Sequence, residues 1–492
     1  MGPSPKLHRT RSSNPDDEPI IRLSCQVQDY SFGKKGTRSL AARYALANEA
    51  EGNFKIDEEQ TYGEIWMGDH EDGSSRSLKT SVHLRTLIEK SPHAFLTNSI
   101  ATKFPGPGNN PQLPFLFKVL SFDRALPLQA YPNKSLAEQL QKQESEEKAN
   151  NDKSDVAVAL SPVFESFVGF RPAEEIKCFL RDVEELREVL GEEDSNIAGM
   201  HEQELDRSLK EIFGRIFKKD KAVIEKSVKK LLSRVKTDGD KALGEIGERD
   251  ELGYVVQKVW KNYAGDPGIF AAVFFLNFVS LKRGEAVAVP PNCLRAYLDG
   301  DIIECMANSE HVPSRGFQEG TSPLDISDML VNMLLHNPGP SKHLLLAQTP
   351  YPKSRNSHTT KFEIPMEEFS ILKISLNRSE EEFIAIDGPA IYVVTAGEVE
   401  ISARSRPDRQ LSEINRETGT PGPTETVASE GGHVPSTLAR RGSECSKTGD
   451  EGQREHLKEG MSVFVKPGFE IGFWNRGGGR AEVHAAYCEI EI

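Results

Sequence analysis

Two hydrophobic rhythms alternate along the chain and divide it. From Ile20 to about Ala101, short apolar runs are separated by turn residues, and LPFLFKVL (Leu113 to Leu120) is an apolar run of strand length that predicts a buried strand. A short polar helix is expected next, with Asn133 or Ser135 near its cap, Leu136 and Leu140 inward, and a charged tail to Lys153. The period then lengthens. Pro172 stands at an N1-like position with acids behind it, and Ile176, Phe179, Leu180, Val183, Leu186, Val189 and Leu190 recur at helical spacing. The stretches Leu205 to Phe217 and Val223 to Val235 repeat that spacing, as the core faces of a small helical unit would. After Gly265-Asp266-Pro267-Gly268 the strand cadence returns. RGEAVAVPPN (Arg283 to Asn292) predicts one strand ending in a turn. IYVVTAGEVEIS (Ile391 to Ser402) predicts two strands around Ala396-Gly397, and LKEGMSVFVKPGFEIGFWN (Leu457 to Asn475) a further pair around Lys466-Pro467-Gly468. Between these pairs, Ala403 to Glu455 is rich in Ser, Thr, Gly, Pro and charge with no apolar period, and is expected to be a disordered insertion.

The pattern predicts a mainly β chain with a helical insertion, made of two barrel-like units. Its parts are a polar tail at 1–18, a first β segment at 19–171, the helical unit at 172–264, the return of the first barrel at 265–345, and a second β unit at 346–492 carrying the insertion 403–455. A length of 492 residues suits two or three packed units. The 61 basic and 75 acidic residues leave a formal net charge of −14, a field that repels phosphate backbones and anionic bilayers, so nucleic acid and membrane are excluded as partners. An anionic small molecule would need local Arg or Lys. The 6 cysteines show no paired spacing and are read as reduced thiols. The longest apolar stretch, Ile269 to Leu281, is interrupted by Asn277 and Ser280 and is shorter than the roughly 20 residues a bilayer needs. A polar start without an apolar signal core points to the cytoplasm.

Several segments together resemble the type I phosphomannose isomerases, which interconvert mannose 6-phosphate and fructose 6-phosphate. They are CQVQDYSFGKKG (Cys25 to Gly36), YGEIWMGDH (Tyr62 to His70), the stretch Leu113 to Leu140, KSDVAVALSPVFESFVGFRPAEEI (Lys153 to Ile176), GDPGIFAAVFFLNFVSLKRGEA (Gly265 to Ala286) and AYLDGDIIECMANSE (Ala296 to Glu310). The resemblance implies cupin-type jelly-roll barrels, a small helical domain, a sugar phosphate as ligand, and zinc as cofactor. In the family, zinc is held by a Gln and a His of Q-A-H-P, a Glu of K-P-E and a His of P-H-A-Y. Such ligands hold Zn²⁺ at about 2.0–2.2 Å, where it acts as a Lewis acid on the sugar carbonyl.

The four corresponding positions here read Gln129, Tyr131, Asp155 and Arg295. Gln129 matches the family, and Asp155 is an oxygen ligand one methylene short. Tyr131 would ligate only as phenolate, and Arg295 stays protonated with no lone pair to offer. Zinc is therefore expected to be weakly bound or absent. The family's S-D-N-x-x-R-A-G run becomes Ser309 to Gly316, with Arg315 one position late and Ser314 in the arginine's place. Pro127, Asp152 and Phe32 are further departures. Lys134 fits phosphate binding, Lys153 polarisation and Glu304 proton transfer; Arg315 is the candidate catalytic arginine, and His70 either lines the cleft or is an ordinary hydrogen-bonded histidine. Gln129, Lys134 and Lys153 also have bland readings, as a surface or core amide and as solvated lysines. Arg440-Arg441-Gly442-Ser443 matches a basophilic kinase motif, a pattern that often arises by accident.

Three functions are consistent with these residues: a family isomerase with catalysis weak or lost, a metal-free pseudoenzyme that binds a sugar phosphate or protein partner in a regulatory role, and an isomerase using a different electrophile. One structural expectation is specific. A carboxylate at 155 placed to face a dication is costly to bury unpaired. Arg295 is therefore expected to enter the metal position and pair with Asp155, with Gln129 and Tyr131 closing the network.

Overall fold

The computed structural model describes residues 17–49, 54–130, 155–191, 208, 211–308, 314–317, 343–406 and 453–490. The expected mainly β fold with a helical insertion is present, and its strands form two sandwich-like units.

The first unit is a ten-stranded antiparallel sheet organised around the long strand Leu294–Ala307. One half of that strand pairs with Val163–Phe170 and the other with Phe115–Phe122, whose far edge carries Glu64–Met67. Asp155–Ala159 and Leu128–Ala130 pair with the same long strand. Period-two alternation sorts these side chains between two layers. Phe115, Phe117, Val119, Ile65, Val156, Val158, Ile303 and Cys305 pack together on the outer face. Leu120, Phe122, Ala157, Ala159, Val287, Val289, Tyr297 and Ile302 fill one end of the interior.

Across the long strand the alternation breaks once. Its register against Val163–Phe170 jumps between Tyr297 and Asp299, a bulge followed by Gly300 at φ 146°. The extra residue inverts the parity, so Arg295 and Tyr297 before it face the same interior as Ile302 and Glu304 after it. Glycine suits position 300 because a Cβ there would lie 3.3 Å from the Phe164 Cα.

The helical insertion contains Ala173–Asp182, Glu184–Leu190, Lys221–Asp238 and Leu252–Asn262. Their apolar stripes merge with Leu128, Phe167, Leu294 and Leu298 of the barrel into one core. Pro172 caps the first helix rather than opening it. The stretch Gly268–Phe275, expected to resume strand cadence, is a further helix that passes directly into the strand Leu276–Lys282. All eight of its residues are buried, so it has no polar face from which a period could be read. Among the described residues no helix is long and apolar enough to cross a membrane.

The second unit packs an eight-stranded sheet against a four-stranded one around Ile374, Tyr392, Val399, Leu457, Phe473 and Val483. The strand Ile20–Ser24 pairs with Ser462–Val465 of the second unit and also with Arg76–Ser77. Its residues face both cores, Ile20 toward one and Ile21 and Leu23 toward the other. The insertion is narrower than 403–455: strand pairing continues through Ser405 and resumes at Arg454, with Ser402 opposite Arg454 and Glu400 opposite His456. The rest of it, Ser443 included, lies outside the described residues, as do the tail 1–16 and the helix expected around 133–153.

Candidate functional site

At the other end of the first barrel's interior the lining becomes polar. Gln129, Asp155, Arg295 and Glu304 converge there, each carried inward by the same alternation that sends its apolar neighbours to the other face. Leu128 and Ala130, on either side of Gln129, belong to the helical-insertion core. Val156, next to Asp155, belongs to the outer layer.

Arg295, 2% exposed, and Asp155, fully buried, form the expected ion pair through Nε and Oδ2. The Arg295 guanidinium also donates to Gln129 Oε1 at 2.6 Å and to Glu304 Oε1 at 3.1 Å. Its plane rests on the Tyr297 ring, 4.5 Å from the centroid. The Tyr297 hydroxyl donates to Asp155 Oδ1 at 3.4 Å. Beneath it, Tyr297 stacks on Phe122 and meets Phe164 edge-on, so this one ring is the floor between the polar end and the apolar plug. Burial pushes the Asp155 carboxyl upward, the Arg295 guanidinium pulls it back, and the Glu304 carboxylate adds to the rise.

A second cation extends the network. Lys118 Nζ lies 3.3 Å from Glu304 Oε2 and 3.3 Å from Glu64 Oε2, and 5.0 Å over the Trp66 ring. Trp66 Nε1 donates to Glu64 at 2.7 Å. His70 is buried against Trp66, with its ring edge-on at 5.1 Å, and its Nδ1 accepts from the Asp72 N–H at 3.2 Å. Glu64, Trp66, Lys118 and Tyr297 were not singled out in the sequence. The available signals were a lone lysine inside the apolar run FLFKVL and the alternating Glu-x-Trp of YGEIWMGDH.

Of the expected site residues, then, Gln129, Asp155, Arg295 and Glu304 come together, with His70 edge-on against Trp66. Tyr131, Lys134 and Lys153 lie outside the described residues. Arg315 is described only as backbone: it takes the register position opposite Leu128, while Ser314 takes the one opposite Gln129.

Zinc does not fit this arrangement. Among the described residues no three His, Cys, Asp or Glu side chains are grouped to hold a metal. The oxygens that face a common point, on Gln129, Asp155 and Glu304, already surround a cation. That cation, a guanidinium, has no lone pair to give a metal and a charge that repels one.

Comparison with known proteins gives the lineage. The sequence model of the type I phosphomannose isomerase catalytic domain matches residues 20–173, and that of the family's helical insertion domain matches residues 186–276. The mannose-6-phosphate isomerase of Aspergillus fumigatus is 33% identical over 409 residues, 77% of this chain and 87% of that protein. The one from Schizosaccharomyces pombe is 35% identical over 382 residues, 77% of this chain and 89% of that protein. Among solved structures, apo mannose 6-phosphate isomerase from Salmonella typhimurium superposes with a TM-score of 0.69 at 24% identity, covering 96% of this chain and 100% of that one. A mannose 6-phosphate isomerase bound with zinc and yttrium superposes equally well, with a TM-score of 0.69 at 23% identity and the same coverage.

Proposed function

This chain belongs to the type I phosphomannose isomerase family, with its cupin fold, and from that premise we propose that it has given up zinc-dependent interconversion of mannose 6-phosphate and fructose 6-phosphate while keeping a cleft for a sugar phosphate. The observation that carries the proposal is the seat of Arg295 among Gln129, Asp155 and Glu304. A guanidinium held by three oxygens presents no open coordination position to a sugar carbonyl, and three of its five N–H donors are taken up by these bonds to the protein.

The charges of the cluster support loss of turnover as well. Glu304, the candidate for proton transfer, has both oxygens engaged, one by Arg295 and the other by Lys118. The described cluster holds three acids (Asp155, Glu304, Glu64) and two cations (Arg295, Lys118), a formal sum of −1. Phosphate recognition therefore falls to Lys134, the residue to which the family resemblance gives that role.

The test is metal content of the purified full chain together with a coupled isomerase assay. The expected result is zinc well below one equivalent, turnover far below that of an intact relative such as the Schizosaccharomyces pombe enzyme, and saturable binding of mannose 6-phosphate by calorimetry. Near-stoichiometric zinc with brisk, chelator-sensitive turnover would overturn the proposal.

A further inference from the structure

Three oxygens on three different strands, Gln129 Oε1, Asp155 Oδ2 and Glu304 Oε1, converge on one guanidinium that is 2% exposed. We infer that Arg295 is a tethered stand-in for a divalent cation, seated in an oxygen cage that is itself intact, so that withdrawing this one side chain turns the cage into a site for a free hard divalent ion. The inference rests on the metal-free reading above and deepens it: the departures from the metal-binding pattern are one compensated exchange of cations.

Charge supports the exchange. With Arg295 removed, Asp155, Glu304 and Glu64 against Lys118 sum to −2, which a dication neutralises and a monovalent side chain does not. The donor set supports it too. Two carboxylates and an amide oxygen are hard ligands of the kind that Mn²⁺, Mg²⁺ and Ca²⁺ take, with waters filling the remaining positions. Each of the three ligand-bearing residues is also held by contacts other than the arginine. Gln129 is held between two buried neighbours in a strand paired to the long strand, Asp155 begins a strand buried on both faces, and Glu304 keeps its contact with Lys118. The Tyr297 ring under the guanidinium is locked by Phe122 and Phe164, which leaves a flat apolar floor and directs a replacement ion toward the oxygens.

The experiment uses Mn²⁺ alone, read by electron paramagnetic resonance, on the full chain and two sets of variants. The wild-type protein is expected to show no saturable Mn²⁺ binding. Arg295→Ala is expected to take up one equivalent at least 10-fold more tightly than wild type, and methylguanidinium is expected to compete for the same place. Adding Asp155→Asn to Arg295→Ala is expected to cut Mn²⁺ affinity at least 10-fold. Arg295→Gln, which keeps a polar side chain of intermediate length, guards against collapse of the alanine variant. If either variant is unfolded without metal, folding on addition of Mn²⁺ is the expected result and supports the cage. Folded Arg295→Ala and Arg295→Gln proteins that bind Mn²⁺ no better than wild type would overturn it, as would variants that stay unfolded in Mn²⁺. These outcomes are separate from the zinc content and turnover of the wild-type protein, which decide the proposed loss of isomerase activity on their own.

Discussion

Replacing Lys118 by Met tests how strongly the network depends on its second cation. Lys118 is 8% exposed and lies between Glu64, 7% exposed, and Glu304, 2% exposed, at 3.3 Å from each. Removing one partner of a buried ion pair leaves an uncompensated charge, at a cost of about 3–5 kcal/mol. Two features of the site reduce that cost: Glu64 keeps the Trp66 indole N–H at 2.7 Å, and Glu304 keeps Arg295 at 3.1 Å. The lost contact with the Trp66 face works in the opposite direction, by about 0.5–2 kcal/mol. The expected destabilisation of Lys118→Met is therefore about 3–4 kcal/mol. In the double variant Lys118→Met/Glu64→Gln, roughly 2 kcal/mol of this should return, because one of the two stranded charges is gone. The chain's three tryptophans offer a clean assay, since Trp66 is in the first barrel, Trp260 in the helical insertion and Trp474 in the second barrel. Urea unfolding followed by fluorescence in a Trp260→Phe/Trp474→Phe background reads the first barrel through Trp66 itself. A loss under about 1 kcal/mol, the size expected of a solvent-screened surface pair, would refute the role of Lys118 as a buried counter-charge, and so would a double variant no more stable than the single one.

Asp69 should confer a pH dependence. It is buried, with one oxygen accepting the Leu113 N–H at 3.0 Å and the other without a partner among the described residues, and burial pushes its carboxyl up to about 7. A folded-state value raised above the unfolded one means that the group's contribution is complete below about pH 4 and is lost as the pH rises through 7. Asp69→Asn should thus gain on wild type by about 3 kcal/mol between pH 5 and pH 8 in urea titrations, whereas parallel stability curves would contradict the assignment. In the second barrel, burial opposes the charge of Glu382, but hydrogen bonds from Ser354, Asn356, His358 and Phe383 outweigh it and hold the carboxyl below its ordinary range. Glu382→Ala should cost about 3 kcal/mol and speed amide exchange at Asn356 and His358 at least 10-fold; protection unchanged at those two amides would argue against it.

Much of this protein was legible in its residues because the relevant signals are local. Period-two and period-3.6 spacing marked strands and helical stripes, and the motif positions singled out Gln129, Asp155 and Arg295. The pairing of Arg295 with Asp155 followed from elementary electrostatics, since a buried carboxylate deprived of a dication needs another cation within reach. Where the local signal vanished, so did the foresight. The helix Gly268–Phe275 is buried all round and so carries no period, and the strand Ile20–Ser24 alternates equally well whichever sheet it joins. Glu304 was named by its motif, but only the tertiary structure decided that it pairs with Arg295 and that Lys118 joins it. Arg295 and Glu304 are nine positions apart, an odd separation that puts them on opposite faces of a regular strand. The bulge at 297–299 and the backbone of Gly300 turn them to the same side. Lys118 reaches them because its strand pairs with the long strand in a register that sets Lys118 opposite Glu304. Register is fixed by hydrogen bonds between strands distant in sequence and by the packing of both sheet faces at once, and no single segment of the chain contains either.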